Sequence, residues 1–284
     1  MTRPQVFTLT SLAMVAFAGN SLLCRLALKT TGIDAASFTS IRIVSGAVAL
    51  WVVVRMRGGA AGTAGSWSSA FWLFAYAAGF SYAYTMLEAG IGALLLFGAV
   101  QATMIGYGLW RGERLGGAQT AGLAVALAGL VGLLLPGLSA PPASGAALML
   151  FAGVSWGIYS LRGRNTGDPA GVTAGNFLRA VPFVVLLSLA LFPWATVDSA
   201  GVLWAILSGA LTSGVGYIIW YAALRGLKAT SAATVQLSVP VIVALCGIIF
   251  LGEPITLRFL AASIAILGGV ALVIVVRRNP QSAR

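Results

Sequence analysis

Histidine is absent from this 284-residue sequence, and Asp and Glu together number six. The two cysteines, Cys24 and Cys246, stand far apart, and no C-x-x-C spacing occurs. These shortages remove the usual ligand sets for zinc and iron, so neither a metal site nor a cofactor is expected. They also remove the acid/base pairs and clustered carboxylates that a lipid-modifying transferase would need, which argues against an enzyme. No G-x-x-x-x-G-K-[ST] motif occurs, so the chain carries no ATP-driven pump of its own. Charged residues make up 8% of the sequence, against roughly 25% in soluble domains. A soluble globular domain, a coiled coil and a disordered chain are all excluded on that ground.

What the sequence has in quantity is apolar surface: 59% of residues, with 36 glycines besides. Apolar runs of the length that crosses a bilayer recur from end to end. Read between charges, they predict spans near 5–27, 34–54, 67–87, 90–110, 117–136, 143–161, 170–193, 200–223, 230–251 and 256–276. Only short loops remain, punctuated by Pro141-Pro142 and Asp168-Pro169. Pro182 and Pro240 fall inside spans seven and nine, where kinks are expected.

The 17 Lys and Arg give a net charge of +11. They gather at span ends, which reads as topology and not as a nucleic-acid surface. Ten spans put both termini on one side, and that side carries 12 basic residues against three on the other, Arg25, Lys29 and Arg258. The bias predicts cytoplasmic termini. Arg3 and the run ending in Ala16-Phe17-Ala18 have the outline of a cleavable signal peptide. An internal repeat contains the same residues as a helix, so they are kept as span one.

That repeat aligns Phe17-Ala18-Gly19-Asn20-Ser21 with Phe151-Ala152-Gly153-Val154-Ser155 at an offset of 134, and Arg42 with Arg179 at 137. Gly112-Glu113 aligns with Gly252-Glu253 at 140. Two halves of five spans must insert in opposite directions, the architecture of many secondary transporters. The expected fold is therefore all-α and integral to the membrane. Ten transmembrane helices form two inverted five-helix repeats, residues 1–140 and 141–284, around a central cavity.

On these residues the chain resembles the drug/metabolite transporter superfamily, with two EamA-type repeats whose spans four and nine end in a Gly-Glu pair. The likeness covers nearly the whole chain. Within that group the aromatic spans and the length are similar to YddG-type aromatic amino acid exporters. The resemblance implies a bacterial inner-membrane protein that exports amino acids, aromatic or large neutral ones, by alternating access. A multidrug or organic-cation exporter, or a carrier of another metabolite such as a nucleotide-sugar, is the alternative. The expected partners are a small-molecule substrate and the lipid bilayer; no obligatory protein partner is expected.

Polar groups inside apolar spans are the first candidates for a substrate site: Asn20 in span one, Gln101 in span four and Gln236 in span nine. The competing reading for each is an interhelical hydrogen bond worth about 0.6 kcal/mol. Aromatic side chains are the second signal. Span three carries Tyr76, Phe80 and Tyr84 with Tyr82 beside them, span six Trp156 and Tyr159, and span eight Tyr217, Trp220 and Tyr221. Such rings stack on flat apolar substrates. The expected substrate-binding set is Asn20, Tyr82, Tyr84, Gln101, Trp156, Tyr159, Trp220 and Tyr221. Tyr82 and Trp156 lead it, because spans three and six flank the cavity in the resembling family. Arg42 and Arg179 hold matching positions, and a guanidinium there could hold a substrate carboxylate bidentately. The favoured reading is a structural arginine that snorkels or binds loop carbonyls, since both halves carry one and a substrate needs a single clamp. The acids Asp34, Glu88, Glu113, Asp168, Asp198 and Glu253 all lie at span ends or in loops. Gradient-driven movement of a mostly neutral substrate is expected, with proton antiport as the alternative.

Overall fold

Apolar runs set where helices form, and side-chain caps set where they start. A computed structural model of the chain describes residues 2–276 except 60, 61, 63, 113, 138, 139, 164–166 and 228–234. Its helices in chain order are α1 (Arg3–Thr30), α2 (Ala35–Met56), α3 (Trp67–Met86), α4 (Ala89–Trp110) and α5 (Gly117–Leu134). They continue with α6 (Ala143–Gly163), α7 (Pro169–Ala190), α8 (Ser199–Leu224), α9 (Ser238–Leu251) and α10 (Leu257–Val276). Asp34 caps α2 through the amides of Ala36 and Ser37, Ser66 caps α3 through Ser69, and Asp198 caps α8 through Gly201. Pro169 opens α7, and Gly252 ends α9 at φ +61°, a backbone state that glycine adopts freely.

Eight helices, all but α3 and α9, are long and apolar enough to cross a membrane. Serine and tyrosine dilute α3, and α9 has 14 residues. Among the described residues there is no strand, and the fold is a multi-pass helical membrane fold. Helix ends fall close to the expected spans except at α9. There the helix is interrupted at Leu237 and resumes at Ser238. Pro240 has no amide hydrogen to give the Gln236 carbonyl four residues back, so it begins a helix where a kink within one was expected. Pro182 does lie inside α7. Glu113, Arg164 and Lys228, and the basic residues after position 276, lie outside the described residues.

Helix α2 packs on α7, α4 on α9 and α5 on α10, while α3 packs on α6 and α1 on α8. Every one of these pairings maps onto itself or onto another when the two halves exchange. Glycines make close approaches in both pairs: a Cβ at Gly79 of α3 would stand 3.5 Å from Ala152 of α6, and one at Gly216 of α8 2.9 Å from Ala16 of α1. Such small-residue contacts let membrane helices meet at short range. Tyr76, Phe80, Trp156, Tyr217 and Phe17 belong to the one large core cluster, whereas α5 and α10 hold each other at the margin.

The two ends of the bundle differ. The face that holds the first residue of α1 is here the terminal face, and the other the distal face. At the distal face Arg25 of α1 pairs with Glu253 beyond α9 at 3.0 Å and donates to the Tyr84 carbonyl at 2.8 Å. The other Glu253 oxygen accepts from the amide of Ala89, which opens α4, at 2.7 Å. A second tie joins the loops before α2 and α8. Thr196 N donates to Asp34 at 2.8 Å, Asp34 N to the Thr196 carbonyl at 3.0 Å, and Gly32 N to Asp198 at 3.0 Å. Partial burial works to raise the Asp34 pKa, but hydrogen bonds from Ser37, Thr196 and Ala36 outweigh it and hold the carboxyl below its ordinary value. The amides of Gly32 and Gly201 lower Asp198 likewise. At the terminal face, by contrast, a hollow of about 380 Å³ opens between α3, α6 and α7, lined by Gly65, Ser66, Ser69, Arg162, Val172 and Asn176.

Candidate substrate site

The site is built where α1, α3, α4, α6 and α8 converge. Phe17, Asn20 and Ser21 of α1, Tyr76 and Phe80 of α3, Leu96 and Phe97 of α4, Trp156 of α6 and Tyr217 of α8 enclose a small cavity of about 10 Å³. That is space for at most about one water. The expected hollow is therefore drawn nearly shut by its own side chains, although its lining is that of a mixed polar and aromatic pocket.

Trp156 is the hub of the wall. Its ring lies 4.9 Å from Tyr76, 4.8 Å from Tyr217, 5.5 Å from Tyr159 and 6.1 Å from Phe17. Asn20 is the polar counterpart. Its amide nitrogen donates to the Tyr76 hydroxyl at 3.0 Å, and its oxygen accepts from Ser208 at 2.8 Å, with Ser213 at 3.4 Å and Thr212 at 3.5 Å. Those three hydroxyls sit on a π-helical stretch of α8, Leu207–Val215. Wide turns of this kind gather at functional sites. Here the stretch also seats α8 on α2, because a Cβ at Gly209 would collide with the Arg42 carbonyl and the Ser45 hydroxyl.

The eight expected residues separate into layers. Asn20 and Trp156 line the cavity. Tyr159 and Trp220 are buried directly behind, against Trp156 and Phe17 respectively. Tyr159 faces the terminal hollow through Asn176, whose amide donates to its hydroxyl at 3.5 Å. Tyr84 lies toward the distal face, stacked edge-on against Phe80 at 4.7 Å and bonded to the Ala89 carbonyl. Gln101 is buried in α4 outside this cavity. Tyr82 is half-buried and Tyr221 partly so, near Gly163, and neither lines the cavity. Gln236, 7% exposed, is buried just before the break that precedes α9.

The two arginines read together from the sequence behave differently. Arg179 donates to the carbonyls of Gly62, Ala64 and Gly175, a structural clamp on the chain before α3. Arg42 is at the centre. It is 1% exposed, donates to the Tyr76 hydroxyl at 3.1 Å and to Ser213 at 3.3 Å, and lies 5.0–5.2 Å from the Phe80 and Tyr76 ring centroids.

The arrangement is a small, mixed polar and aromatic cavity at the centre of the bundle, with a separate hollow at the terminal face. A sequence model for the EamA-like transporter family matches residues 143–275. An uncharacterized protein of Pseudomonas aeruginosa is 58% identical over 270 residues, 95% of this chain and 94% of that one. The chain belongs to the EamA-like transporter family. Threonine/homoserine exporter RhtA of Salmonella typhimurium is 34% identical over 146 residues, about half of each chain (49% and 48%). A solved crystal structure superposes with a TM-score of 0.68 over 98% of this chain and 99% of that one, at 17% identity, which identifies the fold. As a member of that family, the protein is a membrane transporter.

Proposed function

We propose that the protein exports amino acids, aromatic or large neutral ones, across the bacterial inner membrane. Alternating access of one central pocket carries them, with both termini cytoplasmic and the halves 1–140 and 141–284 exchanging shapes. The observation that carries this reading is the cavity wall itself. Trp156, Tyr76, Tyr217 and Phe17 offer ring faces, and Asn20 offers a donor and an acceptor at the same level. A side chain that stacks and a polar head that bonds describe a large neutral amino acid.

Three further facts agree. The exchangeable helix pairings supply two related shapes. The distal ties and the hollow at the terminal face support a resting form that is closed more firmly at the distal end. The name of RhtA places amino acid export on a relative matching half this chain. Among the described acids the most buried, Glu253, is paired with Arg25, which agrees with a substrate gradient as the driving force. Counterflow in proteoliposomes tests the reading. Phenylalanine, tryptophan and leucine should exchange faster than alanine, with no stoichiometric change of internal pH. Equal exchange of all amino acids, or none, would refute it.

A further inference from the structure

Arg42 is a buried cation without an anion. Among the described residues the sole ion pair is Arg25–Glu253, at the distal end. The Arg42 guanidinium uses Nη2 and Nε on two hydroxyls, and its Nη1 has no partner. Both hydroxyls are neutral, so beyond the Tyr76 and Phe80 ring faces nothing offsets the charge, and no anion does. A charge held this way inside a membrane protein is costly and is retained where it serves a solute. Snorkelling does not relieve it, because the side chain is 1% exposed. Arg179, at the matching place in the other half, meets its needs with three carbonyls, so the helix pair as such does not require an unsatisfied guanidinium.

The surroundings add a second orphan. The Tyr217 hydroxyl is buried and also lacks a partner. Tyr217 lines the cavity, and so does Tyr76, which receives the Arg42 bond. Both rings lie within 5 Å of Trp156. The phenol lies on the pocket wall, and the guanidinium stands one hydrogen bond behind that wall, on the Tyr76 hydroxyl.

We infer that Arg42 is the anchor for the carboxylate of the transported solute, with the Tyr217 hydroxyl as its second donor. One carboxylate neutralises one guanidinium and fills the Nη1 position. The ammonium of a zwitterion then rests against ring faces and the Asn20 oxygen, which accept a cation without an acid. A bare amine would meet the Arg42 charge unrelieved and be excluded. This deepens the amino acid reading above and rests on it.

The test changes the ligand first, which needs no variant. Binding to the purified full-length protein is measured by calorimetry for L-phenylalanine and L-threonine, each beside its carboxamide, and for 3-phenylpropionate. The expected result is that each carboxamide binds about ten- to hundredfold more weakly than its acid, the worth of a charge-assisted hydrogen bond. Arg42→Gln should abolish that discrimination and Arg42→Lys should keep part of it. Binding of 3-phenylpropionate without either amino acid would uphold the carboxylate anchor and sink the amino acid reading. Acid and carboxamide bound alike by the wild type would overturn the anchor and leave the amino acid reading standing. Binding of none of the five would overturn both.

Discussion

Removing the charge from Glu253 should open the distal face. The side chains of Arg25 and Glu253 are 12% and 5% exposed, and the pair closes α1 against the start of α4 and the end of α9. Exposed ion pairs are worth about 0–1 kcal/mol, and breaking a fully buried one costs about 3–5 kcal/mol. This pair lies between, so about 2 kcal/mol is a fair figure for Glu253→Gln. Glutamine still accepts the Ala89 amide through its carbonyl oxygen, so the loss is chiefly the charge. Arg25 keeps its bond to the Tyr84 carbonyl in the closed state and gains water in the open one.

Because the pair exists only with the distal face shut, the whole loss falls on that state. About 2 kcal/mol multiplies the distal-open population roughly thirtyfold, while that population remains small. Ser21 lines the cavity and reports on access. In a Cys24→Ala, Cys246→Ala background, Ser21→Cys should react with a membrane-impermeant maleimide added outside at a rate proportional to that population. Adding Glu253→Gln should raise the rate by about the same thirtyfold factor. A rate unchanged within a factor of about two would show that the pair does not hold the face closed.

Three other outcomes are expected. Trp156→Phe should raise the half-saturation for aromatic substrates in counterflow by about two- to tenfold, the worth of a ring contact, with a smaller effect on leucine. Equal effects on both would remove Trp156 from the stacking wall. Gly209→Ala should lower the unfolding temperature through overpacking of about 1–3 kcal/mol against the Arg42 carbonyl. Gly106→Ala, where a Cβ meets nothing within 4 Å, is the control, and equal shifts in the two would deny the contact. Asp34 and Asp198 have lowered native pKa values, so their stabilisation of the loop tie is complete above the ordinary carboxylate value of about 3.9 and is lost as pH falls through the lowered native values. Hydrogen exchange at the Gly32 and Thr196 amides, corrected for intrinsic rates, should stay constant from neutral pH to about 5 and accelerate below about 4. Flat protection into strong acid would refute that assignment.

Much of this was legible because charge and apolarity act on whole segments. Helix ends lie near the last charge of each run, and Asp34 and Asp198 mark starts by a mechanism that needs no tertiary context. Asn20 was found because an amide deep in an apolar run must meet a partner. Tyr82 shows the limit. It stands two residues past Phe80, about 200° around the helix, so once Tyr76 and Phe80 face the cavity it cannot. The spacing held that answer, but α3 is apolar on every side and gave no face to choose. The matching positions of Arg42 and Arg179 do not reveal their different surroundings, because the partners of Arg42 come from α3 and α8 and those of Arg179 from the chain before α3 and its own helix. The π turn of α8 left only the small residues Ser208, Gly209, Thr212, Ser213 and Gly214 as its trace, and these suit ordinary packing equally well.

Arg162, near the end of α6 at the terminal face, stands at the opposite mouth from Arg25. Its Nε donates to the Ser69 hydroxyl at 3.0 Å, where Arg25 has a carboxylate. The empty carrier is therefore held harder at one mouth than at the other. On the reading proposed above, in which the terminal face is cytoplasmic, a solute arriving from the cytoplasm meets the resting form, while one arriving from outside must wait for the rarer form. Half-saturation measured from inside is then the lower of the two, and maximal velocities differ in proportion, since a passive cycle cannot favour one direction at equilibrium.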